Sequence, residues 1–176
     1  VVESQVSISI EVKELLDKHK TKLRSISYKY KGPETGDNFY DFYVKGDKIK
    51  YLPWLATKTL DKPDSYDSIF VDKTARTIQT YCLAAYCAYK GKKSDLSYAD
   101  AYIKTILDWL GGITEAEKLG EEVIDDRSTW KIQTNNGILW IDTFYGVPLK
   151  VESFDKAYRF HQLSSNSVAD ADVTPP

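Results

Sequence analysis

Apolar and polar residues alternate along residues 136–153. Because successive side chains of a β-strand point to opposite faces, this pattern predicts two strands separated by a reversal at residues 146–148. In the second strand, positions 147, 149 and 151 are apolar, whereas Lys150 and Glu152 are charged. One face of that strand is therefore expected to pack on a core and the other to face water. Asn136-Gly137 is predicted to form a two-residue hairpin turn.

The same alternation recurs along the chain and predicts roughly ten strands. Turn sequences such as Gly46-Asp47-Lys48 and Asp72-Lys73-Thr74 separate neighbouring strands. Short connections favour antiparallel pairing. Residues 115–124 fit either a short helix or a strand that enters a turn at Asp125-Asp126. The other predicted strands are 25–31, 39–44, 49–52, 66–71, 75–81, 130–134, 138–144, 147–153 and 157–163.

Two segments have helical spacing instead. Ser9 is the predicted N-cap of a helix over residues 10–22, which carries an apolar stripe and a solvated opposite face. Ser97 begins a capping-box sequence, and Gly111-Gly112 is a stop signal. A second helix is therefore predicted over about residues 98–110.

The elements together predict an α+β fold. A sheet of this size cannot leave its apolar face bare, and two helices are too few to cover both faces. We therefore expect a single curved antiparallel sheet, an open half-barrel of roughly ten to eleven strands, with the helices on its concave face. Residues 1–163 are predicted to form this single domain. Residues 164–176 are predicted to form a polar C-terminal tail, either a surface arm or a linker.

Composition narrows the classes of function. The chain has 176 residues and a formal net charge of −2, without a Lys/Arg cluster, so no nucleic-acid partner is expected. Its 13 tyrosines and 4 tryptophans suit wide sheets and the walls of amphipathic cavities. No apolar run is long enough to span a membrane. The chain begins at Val1 and contains no Met, which indicates a processed or trimmed form and is compatible with removal of a signal peptide or an anchor.

The two cysteines, Cys82 and Cys87, are five positions apart. In an exported protein this spacing can close as a small disulfide loop, whereas in a cytosolic protein the two would be buried thiols. The processed start and the tyrosine-rich strands favour the disulfide and an extracytoplasmic location, whether periplasmic, secreted or membrane-anchored. Zinc is a weaker interpretation, because a zinc site needs four ligands and only two histidines remain.

The sequence contains none of the common catalytic motifs, and no catalytic residue, metal site or cofactor is predicted. His19 lies on the apolar stripe of the first helix, which favours a packing role, and His161 is expected to point outward from a strand. The acidic residues 121–126 lack the spacing of a calcium loop. Asp142 is either exposed at a sheet edge or, beside aromatic rings, paired or placed at a cavity mouth.

Aromatic and aliphatic side chains that alternate along the strands are the candidates for ligand binding. The alternative is that they only pack on the two helices. Their number favours a cavity, because two helices of about 13 residues leave part of a wide sheet uncovered. Trp54 and Leu55 follow Pro53 and are expected to form an exposed apolar tip. The candidate ligand-binding residues are Tyr40, Phe42, Ile49, Tyr51, Trp54, Ile69, Val71, Trp130, Ile132, Trp140, Tyr158 and Phe160.

Three local patterns resemble the LolA-like fold. They are a hairpin with the turn Gly46-Asp47-Lys48, a second hairpin with the turn Asp72-Lys73-Thr74, and a late strand with Trp140 and Asp142 before a Gly-x-Pro-Leu-Lys sequence at 146–150. The LolA-like group comprises periplasmic lipoprotein carriers and related exported or lipid-anchored proteins, including archaeal members. The resemblance covers about residues 24–163 and implies a half-barrel of about eleven strands with helices on its concave side.

The resemblance also implies a function. Members of this group carry acyl chains or other apolar ligands between sheet and helices, or act as surface lipoproteins and envelope sensors. The expected function is therefore non-enzymatic binding of a lipid or acyl chain in a cavity, with lipid or lipoprotein transport as one such role. The alternative is a cell-envelope interaction or sensor module of the same fold with a filled core. Its partner would be a membrane surface or an envelope protein.

Overall fold

The computed structural model describes residues 8–53, 66–85, 87, 90 and 93–176. Eleven strands are present within these residues. They are β1 (Ser25–Lys31), β2 (Tyr40–Lys45), β3 (Lys48–Leu52), β4 (Ser68–Asp72), β5 (Thr77–Tyr81), β6 (Lys93–Leu96), β7 (Ala116–Ile124), β8 (Arg127–Thr134), β9 (Gly137–Asp142), β10 (Pro148–Ser153) and β11 (Lys156–Ser165).

The strands form one open antiparallel sheet in the order β6-β5-β4-β3-β2-β1-β11-β10-β9-β8-β7. Its ends are not paired with each other, so β6 and β7 are the two edge strands. The predicted sheet is confirmed, and β7 shows that residues 115–124 are largely strand rather than helix. β6 was not predicted, because its four residues are too few for alternation to be recognised.

In the part of the chain that the structure describes, three α-helices accompany the sheet: α1 (Ile10–Lys22), α2 (Tyr98–Ala101) and α3 (Asp170–Val173). The prediction for α1 is confirmed, including the bond from the Val12 backbone N–H to the Ser9 hydroxyl. Val12, Leu15 and Leu16 form the buried stripe of this helix. Among the described residues no helix is both long and apolar enough to cross a membrane.

The prediction of one helix over residues 98–110 is wrong. Only α2 and a 3₁₀ turn, Asp108–Leu110, are helical in this stretch. The backbone N–H of Thr105 donates to the Asp108 carboxylate at 2.8 Å, and the N–H of Asp108 donates to the Thr105 hydroxyl at 3.2 Å. This reciprocal capping starts a new turn at Thr105, so it competes with continuation of α2.

The chain divides into two units. The tyrosine unit consists of Arg24–Ile103 and Gln162–Pro176, and the tryptophan unit consists of Val1–Leu23 and Lys104–His161. Each carries its own buried residues.

In the tyrosine unit the C-terminal residues are packed, although an arm or linker was predicted there. Val168 and Val173 are buried, and α3 contacts β2 and β3. Asp170 forms an ion pair with Lys45 at 2.9 Å, and the Val168 N–H donates to the Ser25 hydroxyl at 3.1 Å. Ser25 and Lys45 are register partners, one position away from the buried pair Ile26 and Val44. Because side chains alternate along a strand, α3 lies on the face opposite to that pair.

In the tryptophan unit α1 packs on the connection between β9 and β10. A Cβ added to Gly146 would lie 2.5 Å from the Leu15 carbonyl oxygen, and the φ of Gly146 is +74°. The Lys18 ammonium donates to the Thr143 carbonyl at 2.7 Å. The glycine therefore allows both the reversal before β10 and the close approach of the helix.

The hairpin turn between β8 and β9 lies one residue earlier than predicted. Asn135 and Asn136 are the turn residues, and Gly137, with a φ of +116°, is the first residue of β9. The Asn136 side-chain amide donates to the carbonyls of Trp109 and Gly111 at 3.1 and 2.9 Å. The asparagine pair therefore fixes the segment that contains the 3₁₀ turn.

Candidate functional site

The buried face of the tyrosine unit carries two straight rows of side chains that cross β1 to β5. Cross-strand register defines both rows. No member of either row is more than 4% exposed. The aromatic row is Tyr28, Phe42, Tyr51, Ile69 and Thr80, and the aliphatic row is Ile26, Val44, Ile49, Val71 and Ile78.

The rings of the aromatic row are stacked. The ring centroids of Tyr28 and Phe42 are 5.3 Å apart, and those of Phe42 and Tyr51 are 4.8 Å apart, with nearly parallel planes. Tyr40 extends the stack from Tyr51 at 6.1 Å, and Tyr30 meets the edge of Phe42 at 5.4 Å. Such contacts contribute about 0.5–1.5 kcal/mol per pair beyond area burial. The sheet register therefore produces a continuous aromatic surface.

One end of this surface is polar. The Tyr30 hydroxyl donates to the Glu34 carboxylate at 2.6 Å, and the Tyr40 hydroxyl donates to the Glu34 carbonyl at 3.1 Å. A Cβ on Gly32 would lie 2.1 Å from the Tyr30 hydroxyl, so only glycine fits at this position. Burial raises the pKa of Tyr51 and of Tyr40. Both hydroxyls therefore stay protonated and can donate at neutral pH.

Six of the predicted ligand-binding residues come together on this face: Tyr40, Phe42, Ile49, Tyr51, Ile69 and Val71. Sequence reasoning omitted Tyr28, Tyr30 and Ile26 of β1 from the site, although their alternation with serine and lysine was visible. The predicted Trp54 lies outside the described residues, as does Leu55.

The tryptophan unit has a separate buried row. The register aligns Ile132, Leu139, Val151 and Tyr158 on four neighbouring strands. The predicted residues Ile132 and Phe160 are fully buried, whereas Trp130 and Tyr158 are half-buried.

Two tryptophans lie near this row. The Trp109 ring packs on the ring of Tyr158 with centroids 4.7 Å apart. Trp130 pairs with Ile141. Trp109 therefore covers part of the row. The prediction of one helix over residues 98–110 gave no indication of this role.

Trp140, another of the candidate ligand-binding residues, does not lie in this row. Trp140 pairs with Lys131 and Lys150, whereas its neighbour Leu139 pairs with Ile132, so Trp140 lies on the opposite face. The Lys150 ammonium is 4.5 Å from the Trp140 ring centroid, and the indole N–H donates to the Glu122 carboxylate at 2.7 Å. Alternation within a strand shows which side chains share a face. It does not show which face of the neighbouring strand continues that face.

Asp142 is buried and paired, so the interpretation of an exposed edge residue is wrong. It is 2% exposed, and its carboxylate accepts from the Tyr145 N–H at 2.8 Å and from the Arg127 guanidinium at 3.4 Å. These bonds close the turn that follows β9. Asp142 therefore stabilises the turn, and Phe144 within it is exposed.

Cys82 and Cys87 form a disulfide with a Cα–Cα distance of 6.0 Å. The Asp67 carboxylate accepts from the backbone N–H groups of Leu83 and Ala84, each at 2.9 Å, and so fixes the loop. Asp67 and the two sulfurs lie close together. Because the sulfurs are bonded to each other, they are not thiolates that could bind a metal ion.

The two histidines have different surroundings within the tryptophan unit. His19 is half-buried in α1, and burial lowers its pKa below the usual value. His161 lies on β11, with its Nδ1 atom 2.9 Å from the Asp125 carboxylate. Arg159 reaches the same carboxylate at 3.6 Å. These contacts tie the β7–β8 turn to β11.

Comparisons with known proteins address the fold. No protein-family model matches the chain, and no curated protein matches it in sequence. Among solved structures, the lipoprotein LppX from Mycobacterium tuberculosis is similar over 92% of this chain and 96% of its own, at 17% identity and a TM-score of 0.52. An uncharacterised conserved protein from Thermus thermophilus is similar over 93% and 90%, at 10% identity and a TM-score of 0.50.

A LolA superfamily protein from Nitrosomonas europaea is also similar over 93% of this chain and 97% of its own, at 10% identity and a TM-score of 0.36. At these identities the likeness concerns the fold alone. The sheet order and the match to LppX over nearly the full length of both chains agree with the fold expected from the sequence. The chain therefore has a LolA-like fold.

Proposed function

We propose that this protein is a non-enzymatic, extracytoplasmic binding protein that holds a lipid or acyl chain against the aromatic and aliphatic rows of the tyrosine unit. The observation that carries the proposal is the continuity of the two rows. Ten side chains in register cross five strands, and apart from Thr80 every member is aliphatic or aromatic.

The dimensions of the rows suit an acyl chain. Five strands with a spacing of about 4.8 Å give each row a length of roughly 19 Å. Each buried methylene contributes about 0.8 kcal/mol, so ten of them contribute about 8 kcal/mol before the costs of association and ordering. Because the rows are almost fully buried, the ligand must displace the side chains that cover them. The Tyr30, Tyr40 and Glu34 groups at one end suit the polar head of such a ligand.

Two further features support the location and the absence of catalysis. A disulfide between Cys82 and Cys87 persists in oxidising compartments and is rare in the cytosol. His19 is held in a helix stripe, and His161 lies against the carboxylate that also receives Arg159. The contacts of both histidines therefore favour a structural role over a catalytic one.

The direct test is to extract the purified native protein with organic solvent and to identify released lipids by mass spectrometry. A stoichiometric lipid or acyl chain is expected. The delipidated protein should then bind cis-parinaric acid, with a rise in the fluorescence of the probe. Empty extracts together with no probe binding would contradict the proposal.

Two matched variants locate the site. Val71→Phe adds volume to the aliphatic row, whereas Val151→Phe adds the same volume to the buried row of the tryptophan unit. We expect Val71→Phe to weaken probe binding about tenfold or more and Val151→Phe to leave it unchanged, each fold being checked by circular dichroism. Val71→Leu and Val151→Leu provide the same comparison with a smaller increase in volume.

The second candidate is an envelope interaction module with a filled core. The low exposure of both rows favours it, because tightly buried side chains are also what a solid core would show. Such a module would give empty extracts and no probe binding while retaining a protein partner.

A further inference from the structure

The edge strand β7 is unlike the opposite edge strand. β7 has nine residues, Ala116–Ile124, whereas β6 at the other end of the sheet has four. Among the strands that the structure describes, β7 pairs with β8 alone. A long unpaired edge presents main-chain donors and acceptors that another strand can use. A bulge between Lys118 and Gly120 interrupts the register, so the regular part of the edge is residues 120–124.

The main-chain groups that point outward can be assigned from the turn. Asp125 and Asp126 form a two-residue turn with φ values of +50° and +63°. Ile124 and Arg127 are therefore a hydrogen-bonded pair, and the alternation of an antiparallel ladder makes Glu122–Thr129 the next such pair. The N–H and C=O groups of Glu121 and Val123 consequently point away from β8.

The side chains beside these groups form a recess that is apolar on one side and polar on the other. Val123 is 72% exposed, although it is a β-branched aliphatic residue in a strand. Val123 and Trp130 form the apolar side of an open concavity of about 360 Å³. Its polar side is lined by Glu121, Glu122, Ser128, Thr129 and Thr143. Lys118 lies 3.6 Å from the Trp130 ring centroid and is paired with Glu121 at 2.7 Å, which closes one side.

The charge of the β7 edge indicates which kind of strand can pair with it. Glu117, Glu121 and Glu122 lie on β7, and Asp125 and Asp126 follow in the turn. Glu121 already pairs with Lys118, and Asp125 with Arg159 and His161, so the charge of the edge comes from Glu117, Glu122 and Asp126. A second copy of this strand would place carboxylates opposite carboxylates, which is unfavourable in an antiparallel pair. A strand with basic residues would place ammonium or guanidinium groups there instead.

We propose that β7 binds an extended peptide segment of another protein in which basic and apolar residues alternate. The segment adds to the edge along residues 120–124, accepts and donates main-chain hydrogen bonds at Glu121 and Val123, and places an apolar side chain in the recess beside Val123 and Trp130. Its basic side chains lie along the acidic residues of β7. This interaction does not depend on the lipid site, because every residue involved lies in the tryptophan unit.

The test uses the full chain and a fluorescein-labelled peptide of three Lys-Val repeats. Binding is measured by anisotropy and mapped by amide chemical-shift changes, which are expected at residues 120–124. A peptide with the same side chains but N-methyl groups at alternate positions keeps the charge and loses main-chain donors. It should bind about tenfold more weakly or worse. A Glu-Val repeat should not bind.

Variants at one exposed position complete the test. Val123→Pro removes an outward N–H and should weaken binding at least about tenfold, and Val123→Thr, which keeps the backbone, should weaken it about threefold. Phe154→Thr is the control, because Phe154 is 94% exposed in the turn between β10 and β11 of the same unit. It should leave affinity unchanged.

Several results would overturn the proposal. Equal binding of the N-methylated peptide would show charge attraction alone, and shifts outside residues 120–124 would place the peptide elsewhere. A dimer in sedimentation experiments that Val123→Pro dissociates would identify a second copy as the occupant. If Val123→Pro does not fold, Val123→Thr and the N-methylated peptide decide the question.

Discussion

The two units use their large aromatic side chains in opposite ways. In the tyrosine unit, Tyr28, Phe42 and Tyr51 stack on one another on the buried face. In the tryptophan unit, Trp140 lies on the face opposite to the buried row, with Lys150 over its ring. The same alternation of residues therefore produces a continuous apolar surface in one unit and a lysine-covered aromatic ring in the other.

This difference indicates where a ligand can bind. A ring under an ammonium group, with its N–H on a carboxylate, already has its partners, as Trp140 shows. A stack of rings beside an aliphatic row offers surface whose only requirement is apolar contact. We therefore propose ligand binding in the tyrosine unit and a structural role for Trp140, which is itself buried.

The largest expected effect is that of Phe42→Ala. Removing this fully buried ring should lower the free energy of unfolding by about 3–5 kcal/mol and abolish probe binding. Leu139→Ala in the tryptophan unit should lower it by about 2–5 kcal/mol without changing affinity per folded molecule. Urea denaturation and fluorescence titration measure the two quantities. Equal loss of affinity in both variants would show that the units do not differ.

Loss of the disulfide should have the next largest effect. Replacing Cys82 and Cys87 by serine opens a six-residue loop, which should cost about 2 kcal/mol in the free energy of unfolding. Hydrogen exchange should rise first at Leu83 and Ala84, whose N–H groups are held by Asp67. Exchange in the tryptophan unit should change little. A uniform rise in both units would contradict this local role.

Trp140→Phe should have a smaller effect. The variant keeps an aromatic ring under Lys150 but removes the hydrogen bond to Glu122, so the loss in stability should be about 1 kcal/mol. Affinity for the lipid probe should not change, because Trp140 lies on the face opposite to the buried row. A clear loss of affinity would indicate that Trp140 contributes to the ligand site.

The smallest expected effect concerns pH and is confined to the tryptophan unit. Burial lowers the pKa of His19, so the unfolded chain binds a proton more readily than the folded protein. This contribution to stability is complete above the unfolded value of about 6.5 and is lost as pH falls below it toward the folded value. His19→Gln should flatten the dependence of unfolding free energy on pH below 6.5. An unchanged slope would contradict the assignment.

Local patterns predicted most of the sheet. The turns at Gly46-Asp47-Lys48 and Asp72-Lys73-Thr74 are each encoded by a few consecutive residues. The hairpins around them were therefore predicted correctly. Alternation within each strand identified Phe42, Tyr51 and Ile69 of the aromatic row as candidates, whereas Tyr28 was omitted. The alignment of the row depends on register, which short turns fix closely.

Features that depend on tertiary context were not predictable. The face of Trp140 depends on the pairing of β9 with β8 and β10, which alternation within one strand cannot give. The interruption of the predicted second helix comes from side chain to backbone bonds between Thr105 and Asp108, which compete with a continuous apolar stripe. Helix α3 has only four residues and is held by contacts to β2 and β3.

A nitroxide-labelled stearic acid tests most directly whether an acyl chain lies against the rows of the tyrosine unit. In protein with labelled isoleucine methyl groups, the nitroxide should broaden the signals of Ile26, Ile49 and Ile78 and leave those of Ile124 and Ile138 in the tryptophan unit sharp. The reverse pattern, or no broadening at a saturating concentration, would contradict the account.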